Sequence, residues 1–545
     1  MSYKIVSGNV VDIEKRTIYP GEIVIVRNRI KEIRRTPNKR YSKFILPGFI
    51  DSHIHIESSM VSPLEFSKWA ARSGTVGVVS DPHEIANVCG LKGIDYMIKN
   101  GRKGLIKFFF GAPSCVPATS FETSGAKLGP ENISSLLKRK DIYFLSEMMN
   151  FPGVIFNDKE VLAKIASAKK FKKPIDGHAP GLKGKDLMKY YNSGISTDHE
   201  ALNYHEALEK IKLGMIIQIR EGSASKHFDE LCPLIDKYPD RVMLCSDDLH
   251  PEDLIKGHIQ LLVKRGVKKG LNIFNILQAA ILNPINHYKL KIGLLKKNDS
   301  ADFVIVNNLS DFKILSTYVE GNEIFNSKGV KKIKETVDQS FINNFQKYTL
   351  SKPNVKIANS GKLARIISIK DKQLFTGSEV AMPLVKNNEV IPDQKNDVLK
   401  IVITNRYRKT KPAVGLIKNF GIRYGAVAAS IAHDSHNIVA IGTNDADLVN
   451  AINAVMKNKG GIAWNCKRKK LLLPLPIAGL MSNRDAKSVA EKYQQIQEEI
   501  RKAGSILTSP LMTMSFLSLL VIPELKIGDK GLFDVSTFKA VKLFV

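Results

Sequence analysis

Cysteine, tryptophan and long apolar runs are scarce in this sequence of 545 residues. The five cysteines are Cys89, Cys115, Cys232, Cys245 and Cys466. They are far apart and form no C-x-x-C pair, which argues against a disulfide framework and a zinc–cysteine site. The longest apolar stretch, residues 509–522, is shorter than the about 20 residues of a membrane-spanning helix. Residues 1–11 carry charge and have no apolar core typical of a signal peptide. We therefore expect a cytoplasmic protein that does not enter the membrane.

Acidic residues are also few beside the basic ones, with 53 Asp and Glu against 82 Lys and Arg and a net charge of +29. An excess of this size is one feature of nucleic-acid-binding proteins. The lysines are nevertheless spread along the chain, in short clusters such as 169–173 and 467–470. No RNP, helix-turn-helix or arginine-rich signature accompanies them. We interpret the charge as a solvated, lysine-rich surface and expect no nucleic-acid partner.

Alternation of apolar and polar residues predicts short antiparallel strands near both ends of a central region. The pattern occurs in KIVSGNVVD and GEIVIVRNRIKEIRR and returns in ADFVIV at 301–306 and in 314–322. We predict a small discontinuous β-sandwich from residues 1–47 and 291–345. After a charged connection at 326–356, mixed patterns predict a separate α+β domain over 350–545.

The central region, residues 48–290, alternates apolar strands with helical segments. The predicted strands are residues 49–55, 76–81, 106–111, 143–147, 174–178, 195–199, 215–221 and 242–247. Eight such strands over about 240 residues are typical of an α/β fold of the (β/α)8 TIM-barrel class, whose sites lie at the carboxyl ends of the strands.

His53 and His55 lie two residues apart at the end of the first predicted strand. Side chains at i and i+2 of a strand project from the same face, and two neutral imidazoles so placed suit a divalent metal ion. Most of the other predicted strands also end in His, Asp or Glu. These residues are Asp81, His83, Glu84, Glu147, His178, His199, Asp247 and Asp248. Because strand ends meet at one mouth of a barrel, the sequence predicts a site for two divalent ions and a bridging group.

Several strings in the sequence carry a family resemblance. PGFIDSHIH, the later strand-end histidines and ADFVIV resemble the amidohydrolase superfamily. HIHIESSM, VVSDPHEIANVCG, GHAPGL, TDHE, IREGSAS, SDDLHPEDL, AHDSHNIVAIGTND and LPLPIAGLMS resemble bacterial adenine deaminases of the adenine aminohydrolase type. The resemblance extends from Ile45 to about Ser482. It implies hydrolytic deamination of adenine to hypoxanthine and ammonia, in purine salvage, by a homo-oligomer, expected to be a dimer.

The resemblance also implies the metal ligands. They are His53, His55, Glu147, His178, His199 and Asp247. The first two histidines would share one ion with Asp247, and the other two would hold the second ion. Glu147 stands where many superfamily members have a bridging carboxylated lysine. The ions implied are Mn(II) or Fe(II), and the residue types alone leave zinc open.

Asp247 is predicted to take the proton of the attacking water and pass it to the departing amine. Glu147 or Asp81 would supply or position the proton that a ring nitrogen gains. The residues predicted to bind the substrate are His83, Glu84, Glu57, Arg220, Glu221 and Ser223. For the last three, an ion pair that supports the barrel rim is an alternative role.

Other functions stay open at this point. One is a metal-dependent amidohydrolase acting on another cyclic amide or amidine, and one is a non-catalytic scaffold. A deaminase of polynucleotides is disfavoured, because the H-x-E and P-C-x-x-C signatures are absent. The segment His433-Asp434-Ser435-His436 is compatible with a third metal site, an active-site cap or a subunit contact.

Overall fold

The chain divides into two units in its computed structural model, which describes residues 3–223, 225–333 and 341–545. The first unit comprises Met1–Pro82, Met97–Ser114 and Gly129–Val337, and the second comprises His83–Tyr96, Cys115–Leu128 and Asp338–Val545. The predicted connection at 326–356 includes residues 334–340, which lie outside the described residues.

The strands of the first unit come from three successive stretches of the chain. They are β1 Tyr3–Asp12, β2 Thr17–Val26, β3 Arg29–Arg35, β4 Phe44–Pro47, β5 Phe49–Ile54, β6 Thr75–Ser80, β7 Lys107–Ala112, β8 Ile142–Met148, β9 Ile175–Gly177, β10 Thr197–Asp198, β11 Ile216–Arg220, β12 Val242–Cys245, β13 Phe303–Val306, β14 Ile314–Val319, β15 Asn322–Asn326 and β16 Gly329–Val330. The first four and the last four form one eight-stranded sheet in the order β16-β15-β14-β13-β4-β1-β2-β3. Its alternating apolar residues, among them Val10, Ile23, Ile45 and Phe303, pack into a core.

Strands β5 to β12 are parallel and follow one another in chain order, as sheets β5-β6-β7-β8-β9 and β10-β11-β12. The Ser196 N–H donates to Ile175 O at 2.9 Å and connects β9 to β10. A parallel bridge between Ile54 and Asp247 connects the last strand to the first. Each of the eight predicted strands is therefore present in a curled parallel arrangement, and the predicted α/β class is confirmed.

The helices follow in chain order. They are α1 Pro63–Arg72, α2 His83–Cys89, α3 Leu91–Gly101, α4 Pro130–Lys138, α5 Phe151–Ile155, α6 Lys159–Lys170, α7 Gly184–Asn192, α8 Tyr204–Leu213, α9 Phe228–Leu231, α10 Pro233–Lys237, α11 Pro251–Leu254, α12 Ile259–Lys268, α13 Ile273–Leu277, α14 Asn283–Tyr288, α15 Asp445–Lys457, α16 Ala486–Lys502 and α17 Pro510–Ser515. Local chemistry sets several of their ends. The Asn203 side chain caps α8 by accepting from Glu206 N at 3.0 Å, and Gly214, with φ of 107°, ends it.

The second unit carries the later strands. They are β17 Ile357–Ala358, β18 Ala364–Ile369, β19 Thr376–Ala381, β20 Val385–Lys386, β21 Glu389–Val390, β22 Val398–Thr404, β23 Ala413–Lys418, β24 Ala426–Ala429, β25 Ile438–Gly442, β26 Gly461–Cys466, β27 Lys469–Pro474, β28 Leu525–Gly528, β29 Gly531–Asp534 and β30 Lys539–Val541. The main sheet has the order β19-β18-β23-β22-β25-β24-β26-β27, and α15 packs on it through residues such as Leu448 and Ile452. This mixture of sheet and helices agrees with the predicted α+β class, while the predicted domain boundaries stay a prediction.

Within the described residues, no helix combines the length and the apolar character needed to cross a bilayer.

Candidate active site

The carboxyl ends of five barrel strands bring six of the predicted residues together in the first unit. These residues are His53 in β5 and His55 directly after it, Glu147 in β8, His178 after β9, His199 after β10 and Asp247 after β12. All are buried except His178, whose side chain is 17% exposed. The strands carrying His178 and His199 approach closely, since a Cβ on Gly177 would lie 2.4 Å from Thr197 O.

Glu147 divides the four histidines into two groups. Its Oε1 lies 3.3 Å from His55 Nε2, and its Oε2 lies 3.1 Å from both His178 Nδ1 and His199 Nε2. The two nitrogens of the second group are 3.2 Å apart. One carboxylate thus presents a separate oxygen to each group, which is the arrangement of a bridging ligand.

Asp247 completes the first group. Its Oδ1 lies 3.4 Å from His53 Nε2 and 3.1 Å from His55 Nε2, and these two nitrogens are 3.2 Å apart. Nitrogen ligands at about 2.1 Å from an ion are about 3.0 Å apart in octahedral and about 3.4 Å apart in tetrahedral coordination. The observed spacings lie in this interval, so the residues fit a divalent metal ion in each group.

A backbone contact sets the tautomer of His55. The Nδ1 of His55 is 3.1 Å from Asp81 O, a carbonyl that can only accept, so Nδ1 carries the proton and Nε2 is left for an ion. Asp51 supports the same strand end, since it accepts from His53 N at 3.2 Å and lies 2.8 Å from His258 Nε2. These contacts fix the His55 ring and the backbone of the strand end before any ligand binds.

The carboxylates of the site are held in the ionised form. Burial alone would raise the pKa of Glu147, but hydrogen bonds from His178 and His199 hold it well below its usual range. Burial would likewise raise the pKa of Asp247, and the positive charge of Arg220 is the largest effect that holds it well below. Both side chains are therefore available as anionic ligands at neutral pH.

Arg220 connects two carboxylates in the structure. Its guanidinium contacts Asp247 Oδ2 and lies 2.6 Å from Glu200 Oε2. The sequence alone does not identify Glu200 as a site residue, although it follows His199 directly in TDHE. Nothing in that string shows which cation it contacts. The contacts of Arg220 are those of an ion pair at the barrel rim, the alternative considered from the sequence.

The other residues predicted to bind the substrate lie in different parts of the structure and make separate contacts. Glu221 contacts Arg265 at 2.5 Å, and Ser223 donates to Asp253 at 2.7 Å. Glu57 is buried in a 3₁₀ turn at Ile56–Ser59, directly after the β5 histidines. His83 and Glu84 begin α2 in the second unit, where His83 Nε2 lies 3.4 Å from Glu84 Oε1.

A buried lysine supports the strand end that carries His199. Lys210 in α8 donates to Asp198 and Glu206, each at 2.7 Å, and to Ala179 O at 2.8 Å. We expect Lys210→Met to lower the free energy of unfolding by about 3–5 kcal/mol, because two buried carboxylates lose their cation. Thermal unfolding measures this loss of stability. Lys212→Met, a substitution at an exposed position of the same helix, is the control. Equal melting temperatures for the two variants would contradict this prediction.

Two models of known protein families match this chain. The amidohydrolase family model matches residues 44–324, and the adenine deaminase C-terminal domain model matches residues 373–539. The chain therefore belongs to the amidohydrolase family.

Curated relatives narrow this assignment. Adenine deaminase of Methanosarcina barkeri is 51% identical over 98% of each chain, and that of Salinibacter ruber is 47% identical over 99% of each. Among solved structures, β-aspartyl dipeptidase of Fervidobacterium islandicum AW-1 aligns with 61% of this chain and 100% of its own, at 16% identity and a TM-score of 0.47. Within the amidohydrolases, the chain belongs to the adenine deaminases, as the resemblance predicted.

Proposed function

We propose that this protein hydrolyses adenine to hypoxanthine and ammonia. The observation that carries the proposal is Glu147, which presents one oxygen to His55 and the other to His178 and His199. The names of the curated relatives supply the substrate. The same resemblance supports a place in purine salvage, a cytoplasmic setting and a homodimer.

The cofactor that we propose is a pair of Mn(II) or Fe(II) ions. His53, His55 and Asp247 would hold one, His178 and His199 the other, and Glu147 both. A site of imidazoles and carboxylates suits these ions. When bound, divalent ions supply the Lewis acidity that makes water a nucleophile near neutral pH.

Asp247 is the residue that we propose for proton transfer. It accepts a proton from the water that adds to C6 of adenine and delivers it to the amine that leaves as ammonia. A ring nitrogen must gain a proton when C6 becomes tetrahedral. We propose that Asp81 supplies or positions this proton and that the ionised Glu147 positions it, and both residues are buried at strand ends of the barrel. Water is consumed and ammonia released, so the reaction needs no oxidant.

For substrate binding we propose Glu57, His83 and Glu84. Glu57 lies two residues after His55, and Glu84 lies three residues after Asp81 in the string SDPHE. Arg220, Glu221 and Ser223 already contact protein groups of their own, so we propose that they support the rim of the site.

Substrate choice tests the proposal. We expect protein produced with Mn(II) to deaminate adenine and to leave adenosine and AMP unchanged, and removal of metal by a chelator to abolish the activity. Purine absorbance and released ammonia measure turnover, and Mn(II) added back to the chelated protein is the control. Turnover of guanine, cytosine or a cyclic imide with adenine inert would favour the other amidohydrolase function.

A further inference from the structure

Glu84 is held by two histidines from a distant part of the second unit. His433 Nδ1 lies 2.6 Å from its Oε1, and His436 Nε2 contacts its Oε2. The three side chains are buried, with exposed fractions of 4%, 1% and 2% for His433, His436 and Glu84. Each carboxylate oxygen therefore faces one imidazole of this segment, 349 and 352 positions away along the chain, and Oε1 also lies 3.4 Å from His83 Nε2.

The tautomer of His436 distinguishes a hydrogen bond from metal ligation. Two imidazoles and a carboxylate are also donors that suit a metal ion, and their ligand atoms lie within 4.8 Å of one another. However, the Ala432 N–H donates to His436 Nδ1 at 3.3 Å. A ring nitrogen that accepts carries no proton, so the proton of the neutral ring is on Nε2, facing Glu84. His436 is therefore a hydrogen-bond donor to the carboxylate, with no lone pair on that nitrogen for an ion.

The charges agree with this assignment. Burial lowers the pKa of His436 to about 4, so the ring is neutral at physiological pH. Burial alone would raise the pKa of Glu84, but His433 and His436 hold it well below its usual range. The group is thus an ionised carboxylate with a neutral donor on Oε2.

The segment that carries both histidines is fixed by bonds within its own unit. His433 N donates to Ser515 O at 2.9 Å, and the His433 ring stacks on Phe516 with centroids 4.3 Å apart. Tyr407 donates to Ser435 O at 2.5 Å, and Arg406 donates to His436 O at 3.3 Å. Buried and bonded in this way, the segment has the rigidity of a support and offers little surface for a subunit contact.

We propose that His433 and His436 are positioning residues that hold Glu84 as an ionised acceptor for an N–H group of the purine. The inference rests on the proposed function, in which Glu84 binds adenine. A carboxylate has about four acceptor positions, so the imidazoles of His433, His436 and His83 leave acceptor capacity for a ligand. A carboxylate held from two sides loses little freedom when it binds, which favours affinity.

Shape-matched variants test the proposal. The amide of Asn places an N–H near the position of His Nδ1, and the longer amide of Gln places one near His Nε2. We expect His433→Ala and His436→Ala to reduce kcat/KM for adenine about ten- to a hundredfold, mainly through KM. We expect His433→Asn and His436→Gln to recover most of the loss. His205→Ala, an exposed histidine of α8, is the matched control and should behave as the wild type.

A double-mutant cycle separates positioning from general stability. In a Glu84→Gln background, the added His433→Ala change should cost much less than it does alone, with metal content and melting temperature monitored in parallel. Alanine variants as active as the wild type, or losses that simply add in the cycle, would overturn the inference alone. The inference would also be overturned if His433→Asn and His436→Gln remain inactive and have lost a bound metal. A wild type that leaves adenine unchanged would overturn the proposed function and this inference with it.

Discussion

Asp247→Asn should lose at least about a thousandfold of kcat/KM for adenine, since it removes both a ligand and a proton carrier. The two oxygens of Asp247 have separate tasks. Oδ1 faces His53 and His55, and Oδ2 contacts Arg220. An asparagine amide must place its NH2 group on one side or the other. One orientation removes the ligand atom, and the other sets two donors against each other beside a buried guanidinium.

Steady-state kinetics with metal analysis measures this effect. Asp248→Asn is the matched control, because Asp248 is the next residue and its Oδ1 accepts from Ser58 at 2.5 Å, as an amide oxygen also can. We expect that variant to stay within about threefold of the wild type. Full activity of Asp247→Asn would exclude the proposed proton transfer.

Glu147→Gln is the second change with a large expected effect. A glutamine side chain has one oxygen, whereas both carboxylate oxygens of Glu147 face histidines. One of the two histidine groups therefore loses its carboxylate ligand. We expect fewer than two ions per chain and a loss of activity of at least about a thousandfold. Mass spectrometry of the bound metal and adenine kinetics measure the two effects.

Glu147→Asp sharpens the test of bridging. It keeps the charge but shortens the side chain by one methylene, so it cannot reach both groups at the observed spacing. We expect it also to bind fewer than two ions, while Glu131→Gln on the exposed face of α4 keeps both. Two ions and full activity in Glu147→Gln would show that Glu147 is not the bridge.

Much of the barrel was readable from the sequence because its strands are short, apolar and bounded by polar residues. His53 and His55 could be placed on one face by strand periodicity alone. The convergence of Glu147, His178 and Asp247 followed from the rule that parallel strands in a barrel end at the same mouth. These inferences use local pattern and topology, which the sequence carries directly.

Pairings between distant residues could not be read in this way. The sequence indicates Arg220 as a candidate site residue but not its partner Glu200, because the charge pattern does not show which side chains meet. His433 and His436 stand out as a pair in the sequence, yet their contacts with Glu84 span about 350 positions of the chain. Such contacts depend on the packed fold, and one sequence without a structure does not specify them.

The parallel bridge between Ile54 and Asp247, where the last strand meets the first, has a thermodynamic consequence. The proposed ligands of one ion lie on both sides of this junction, in a region where Asp51 and Ser246, 195 positions apart, also bond. An ion bound there would cross-link two segments that are far apart in the chain. A cross-link that closes so long a loop restricts the unfolded chain most. Because the ion would bind the folded site, its binding free energy would stabilise the whole barrel against unfolding. Metal content and resistance to unfolding should therefore rise together.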